Sequence, residues 1–335
     1  MAKRIGSSTI ITETNPCFLS GGSVVGKKEY EGPIGNEFDN HYPDSRFGEK
    51  SYEKAESRMQ KIALETAMKK AGISENDIDL IMAGDLLNQC IGSFFGLRNT
   101  RIPLIGIYGA CSTMALGVAI ASIMVESGCA NIAAAVTSSH FCSAERQYRF
   151  PLEYGCQRTP TAQWTVTGSG ASIIGHGNGF PYIKAITFGK IEDLGIKDAN
   201  NMGAAMAPSA YSTLKSFFED TKTSPEDYDL IFTGDLGKTG SDLLYEMAEK
   251  DRMDLRCHHS DCGLMIFDRE KQDVHSGGSG CGCSAAVLNS YVLNRFYDGS
   301  FKNILFMSTG ALLSPTSSLQ GESIPGISHL INITV

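Results

Sequence analysis

The residues with the clearest capacity for chemistry are Tyr108-Gly109-Ala110-Cys111-Ser112. An apolar run ends here, a glycine permits a tight turn, and a cysteine lands where a helix should begin. Backbone N–H groups without partners and the helix dipole favour an anion at such a position. The Cys111 thiol is therefore expected to ionise more readily than a free cysteine and to act as a nucleophile. The arrangement is that of a nucleophile elbow. The same residues also suit a small buried cysteine at the start of a core helix.

Other reactive residue types are less well placed. Cys257-His258-His259-Ser260-Asp261-Cys262 offers metal-ligand types at a spacing that matches no standard zinc pair, and it reads as a loop before a strand at residues 264–267. Cys281-Gly282-Cys283 lacks the spacing of a redox pair and reads as a structural turn. In the segment 175–180, Asn178-Gly179 stands between two apolar runs and reads as a hairpin turn. His41, His176 and His329 are isolated and read as locally hydrogen-bonded. No metal and no cofactor is expected.

The elements that must position Cys111 are written twice. SENDIDLIMAGDL at 74–86 and SPEDYDLIFTGDL at 224–236 share Ser, Asp, Asp, Leu, Ile, Gly, Asp and Leu without a gap. Further on, Cys111/Cys283, Ser112/Ser284, Asn131/Asn303, Ile132/Ile304 and Thr137/Thr309 share one offset. Each copy reads as strand, helix, strand, with helices at 51–72, 112–127, 209–220, 241–250 and 284–296. Strands are expected at 79–83, 102–108, 131–136, 230–233 and 303–307, most of them buried on both faces. The chain thus divides into halves 1–178 and 179–335, with the Cys111 and Cys283 helices central.

The totals bound the role. The 335 residues are 42% apolar and 20% charged, an ordinary globular balance with 36 glycines. A net charge of −8 argues against a nucleic-acid surface. The ten cysteines are scattered as in a reduced compartment, and no signal peptide or membrane-spanning run is seen.

The duplicated halves, GACS at 109–112 and TGSGAS at 167–172 resemble the thiolase superfamily, in particular its ketosynthase III type. HSGGSGCGCSAA at 275–286, FPLEYGCQRTPTAQWTVTGSGAS at 150–172 and QGESIPGISH at 320–329 are similar to the stage V sporulation protein AD family, a component of spore dipicolinate uptake. The resemblance implies an α/β thiolase fold, duplicated βαβαβ halves in a layered αβαβα structure. It also implies a His and an Asn, or two His, beside the cysteine of a condensing enzyme. Gly234, followed by Asp235, stands where the imidazole belongs, and Gly282, followed by Cys283, where the amide belongs. Neither glycine can donate a side-chain hydrogen bond, Asp235 would repel an oxyanion, and losing one such donor costs about 10²–10³ in rate.

In that superfamily the segment after the Cys111 half's central strand walls the pocket. Here it carries His140, Arg146, Arg149 and Arg158, with Trp164. Guanidinium forks and a ring face suit a planar aromatic dicarboxylate, which dipicolinic acid is. Three readings stand. The first is a non-catalytic protein that captures dipicolinic acid, with or without Ca²⁺, for uptake into the developing spore. The second is an acyl-CoA-dependent acyltransferase or ketosynthase using Cys111. The third is a scaffold for membrane partners with a vestigial pocket. The resemblance further implies other stage V sporulation A membrane proteins as partners, a homodimer formed through the strand at 131–136, and a cytoplasmic or peripheral position at the forespore inner membrane.

Overall fold

A computed structural model describes residues 2–148 and 158–335. Arg149, one of the expected cations, lies outside the described residues. In the first half the chain runs β1 (Cys17–Val25), α1 (Tyr52–Ala71), β2 (Leu80–Gly84), α2 (Ile91–Leu97), β3 (Leu104–Gly106), α3 (Thr113–Glu126), β4 (Ala133–Ser139), α4 (Phe141–Tyr148) and β5 (Gly168–Gly175). The second half runs β6 (Tyr182–Phe188), α5 (Met202–Thr221), β7 (Leu230–Thr233), α6 (Gly237–Lys250), β8 (His259–Asp261), α7 (Cys281–Val287), β9 (Asn303–Ala311) and β10 (Gly326–Thr334). Helix α7 continues through a π-helical turn at Leu288–Val292 into Leu293–Tyr297.

The two halves repeat one topology. The first half contributes a sheet of order β1-β5-β4-β2-β3 and the second one of order β6-β10-β9-β7-β8, joined where β1 and β6 pair at Cys17 and Tyr182, so in both the strands of a half stand first, fifth, fourth, second, third. The middle pairs are parallel (β2 with β3 and β4; β7 with β8 and β9) and the fifth strand is antiparallel to both neighbours. The sequence echo at 74–86 and 224–236 is this repeat in detail. Ser74 with Asp77 and Ser224 with Asp227 form matching capping boxes. Asp79 accepts the N–H groups of Asn131 and Ile132, and Asp229 those of Lys302 and Asn303.

Helix α1 begins at its Ser51 cap and ends at Gly72, whose φ of 69° is cheap only for glycine. It covers the outer face of the first sheet, as α5 covers the second. Helices α3 and α7 pack between the sheets and against each other. The result is the layered αβαβα order expected of the thiolase fold. Both inner helices are apolar almost all round, as a layer with sheet on either side requires.

Several local expectations are corrected. The stretch expected as a buried strand at 102–108 pairs only over Leu104–Gly106 and forms the edge of the first sheet, so Ile105 and Gly106 are exposed. Asn178-Gly179 makes no hairpin, because β5 and β6 do not pair with each other and the turn links the two halves. The stretch at 264–267 is not a strand; β8 comes first, and Asp261 then caps the short helix Cys262–Met265. Helix α5 starts before Pro208 rather than after it, since burial of Ala205, Met206 and Ala207 outweighs the interior proline's cost of about 3 kcal/mol.

Candidate functional site

The elbow is closed by short side-chain bonds. Ser112 Oγ donates to the Gly109 carbonyl at 2.6 Å, and Thr113 Oγ1 donates to the Ala110 carbonyl at 2.6 Å. Gly109 N–H returns to Thr113 Oγ1 at 3.1 Å. Ala110 is held at φ 50°, an unfavourable conformation for a residue with a side chain. Across the layer, Gly310 of β9 presses on the elbow; a Cβ there would stand 2.4 Å from the Gly109 carbonyl oxygen. Two strands and a helix thus fix where the Cys111 thiol points.

It points into a cavity of about 70 Å³ lined by apolar Leu86, Ala144, Met202 and Leu313 and by Tyr148, Gln163, Asn200 and Ser279. Cys111 is 8% exposed and Asp235 fully buried. Asp235 lies beside the thiol, close enough for its charge to act on it. The same carboxylate accepts the Gly280 N–H at 2.8 Å and the Thr309 hydroxyl at 2.8 Å. Cys281 completes the wall, packing with Cys111, Leu86 and Ala144 while its thiol donates to the Ser138 carbonyl at 2.9 Å.

These neighbours reverse the expected ionisation. Burial, then the Asp235 charge, pushes the Cys111 thiol well above its ordinary value. A helix N-terminus is worth about 0.3–1 kcal/mol at an exposed site. Here the helix begins only at Thr113, and desolvation beside a carboxylate outweighs it. Burial likewise lifts Asp235 to about 7, although the thiol, Gly280 N–H and Thr309 hydroxyl all favour its charged form.

The glycines expected at the vacated catalytic positions lie elsewhere. Gly234 is packed against β9 and α7, where a Cβ would be 3.1 Å from Ser308 Cα, so the next residue, Asp235, is the one that faces the thiol. Gly282 lies inside α7, and a Cβ would come within 2.3 Å of the Gly168 carbonyl oxygen. Ser279, Gly280 and Cys281 occupy that side of the cavity instead. Cys283 is buried in the core beyond them. The echo with Cys111 holds in sequence only, because α7 starts before Cys283 whereas α3 starts after Cys111.

The expected cations are dispersed as well. His140 is buried, with Nε2 at 2.6 Å from the Ser45 carbonyl and Nδ1 accepting from Cys142 N–H, and burial lowers its pKa. Arg146 pairs with Glu53 on the surface. Arg158 and Trp164 meet each other behind the ribbon formed by Trp164–Thr165 and Gly278–Ser279. Sequence reasoning missed Gln163, Thr165, Asn200, Ser279 and Cys281, although Gln163 and Thr165 flank Trp164 and Cys281 precedes Gly282. Among the described lining residues there is no histidine, lysine or arginine. No cluster of His, Cys, Asp and Glu among the described residues could hold a metal ion, and none of their helices is long and apolar enough to cross a membrane.

Solved structures share this fold. The 3-oxoacyl-[acyl-carrier-protein] synthase III of Aquifex aeolicus VF5 matches with a TM-score of 0.58 at 13% identity, over 96% of this chain and 100% of the other. OleA of Xanthomonas campestris, co-crystallised with cerulenin, matches with a TM-score of 0.60 at 14% identity, over 97% and 98%. A curated relative from Bacillus subtilis (strain 168), stage V sporulation protein AD, is 44% identical over 328 residues, 98% of this chain and 96% of its own. The sequence model of that family, stage V sporulation protein AD, matches residues 6–334, and the chain, a sporulation protein of thiolase fold, belongs to it.

Proposed function

We propose that this protein does not condense acyl groups but binds dipicolinic acid in the Cys111 cavity for uptake into the developing spore. The observation that carries this reading is the contact between the Cys111 thiol and the buried Asp235 carboxyl. A thiol kept protonated is a poor nucleophile. A carboxylate beside it opposes an oxyanion, and no imidazole lies among the described lining residues to polarise a thioester.

The same charges favour one form of the ligand. A dianion entering a cavity whose described lining has no cation, beside Asp235, would be repelled. The calcium chelate of dipicolinate is neutral overall and still presents a flat ring to Leu86, Met202 and Leu313. Its carboxylate edges would meet Tyr148, Asn200 and Ser279. Delivery across a bilayer then falls to integral-membrane partners of the stage V sporulation A set, with this chain peripheral at the forespore inner membrane. A second copy would dock on the free edge β3, around exposed Phe94, Phe95, Ile105 and Tyr108.

The test is calorimetry with dipicolinate, with dipicolinate plus equimolar Ca²⁺, with benzoate and with acetyl-CoA. The expected result is binding of the calcium chelate, little of benzoate, and loss of binding in both Cys111→Trp and Leu313→Trp. Mass spectrometry after acetyl-CoA or malonyl-CoA should show no acyl adduct. Binding that survives both substitutions, or a stable adduct on Cys111 with turnover, defeats the reading.

A further inference from the structure

Successive side chains of an extended strand point to opposite faces. In Trp164–Thr165, Thr165 therefore lines the Cys111 cavity, while Trp164 lines a separate cavity of about 510 Å³. Lys28, Ser45, Phe141 and Gln272 border this second space. Phe141 stacks on Trp164 with ring centroids 3.7 Å apart. Lys28 Nζ lies 3.3 Å from the Trp164 ring centroid, and the Arg158 guanidinium carbon lies 4.5 Å from it.

Two cations are thus held on one indole, with Asp273 as their shared counter-charge. Arg158 Nη2 donates to the Asp273 carbonyl at 2.8 Å and pairs with its carboxylate at 2.9 Å, and Lys28 Nζ donates to the same carbonyl at 2.9 Å. Asp273 is 75% exposed, whereas the Arg158 side chain is 10% exposed. Two further carboxylates border the space: Glu31 pairs with Lys27 at 3.7 Å, and buried Glu29 accepts the Thr167 N–H at 2.9 Å and acts on Lys28. Arg158 Nη1 is buried and has no hydrogen-bond partner among the described residues. A guanidinium N–H taken from water without an acceptor is costly, and a neighbouring ammonium raises that cost. The missing component is an acceptor that carries negative charge.

We infer that Lys28, Arg158 and Trp164 form a second ligand site, separate from the Cys111 cavity, for a small oxyanion: a carboxylate or phosphate group bound between Arg158 Nη1 and Lys28 Nζ. The aromatic pair Trp164–Phe141 is its apolar wall, and the Lys28 stem lies along it. The site does not depend on the reading of the Cys111 cavity.

Trp164 is the chain's single tryptophan, so its emission reports on this site directly. The full-length protein is titrated with inorganic phosphate and with succinate, against sodium chloride at matched ionic strength. The expected result is a saturable emission change with at least one anion, absent with chloride. Arg158→Gln and Lys28→Gln should each weaken it at least tenfold, and Cys111→Ala should leave it unchanged. Lys28 is half-buried at the cavity rim on a four-residue helix, so Lys28→Gln removes no core side chain and keeps the test valid if Arg158→Gln fails to fold. No saturable change with either anion, or a change that persists in the folded variants, overturns the proposal.

Discussion

Replacing Asp235 by Asn should make Cys111 reactive. In the parent the thiol is protonated because it is buried and because it faces a carboxylate that titrates at about 7. At pH 8 that carboxylate is mostly ionised, and a unit charge at hydrogen-bond range contributes about 4 kcal/mol at an effective dielectric near 20. Asparagine removes the charge but leaves the burial. Its amide can still accept from Gly280 N–H and donate to Thr309 Oγ1, so the turn should hold. The thiolate population should rise about 10²–10³-fold. A less basic thiolate is also less nucleophilic, with a Brønsted slope of about 0.4–0.5, so alkylation should quicken by about 10- to 50-fold. The assay is a time course with iodoacetamide at pH 8, reading the Cys111 peptide by mass spectrometry. Exposed Cys129 and Cys257 serve as internal references. If the ratio of Cys111 to Cys129 labelling is the same in parent and Asp235→Asn, with native circular dichroism in both, the charge is not what holds the thiol neutral.

Gly310→Ala should be destabilising by about 1–3 kcal/mol, since its Cβ would meet the Gly109 carbonyl oxygen at 2.4 Å and Ser112 N at 3.0 Å, backbone atoms that cannot swing away; a melting temperature equal to the parent's would show that the elbow is not wedged by β9. The contribution of the buried carboxylates to stability should also fall as pH rises from about 5 to 8, whereas His140, His259 and His329, whose pKa values burial lowers, act the other way below about pH 6.5. Burial lifts Asp235 and Glu29 to about 7 and Asp261 to about 6. The folded state therefore holds protons that the unfolded chain has released, and this contribution, complete below the ordinary carboxylate range, is lost through pH 6–7. Thermal melts should show the fall above the histidine range, from about pH 6.5 to 8, and Glu29→Gln should flatten it; a slope in Glu29→Gln equal to the parent's contradicts the assignment.

The fold was legible because its signals are local or repeated. Buried parallel strands are continuous apolar runs, Ser51 and Gly72 bracket α1 by short-range capping chemistry, and SENDIDLIMAGDL and SPEDYDLIFTGDL encode the same capping box, strand and acidic turn. The elbow was legible too, since glycine, turn and helix start lie within five residues of Cys111. What surrounds the thiol was legible only in part: Asp235 was placed near it, but Ser279 and Cys281 were not. All three come from the other half of the chain, and which residue of a turn faces inward depends on how the turn packs. A shift of one residue moves the inward position from Gly234 to Asp235. The ionisation of Cys111 followed the same logic: sequence displays the helix start that would lower it, whereas burial and a partner carboxylate exist only after the two sheets close over α3 and α7. The arginines were misplaced for a related reason. Neighbours in sequence on a two-residue strand point to opposite faces, so Thr165 reached one cavity and Trp164 another, and Arg158 followed by packing on the Trp164 ring.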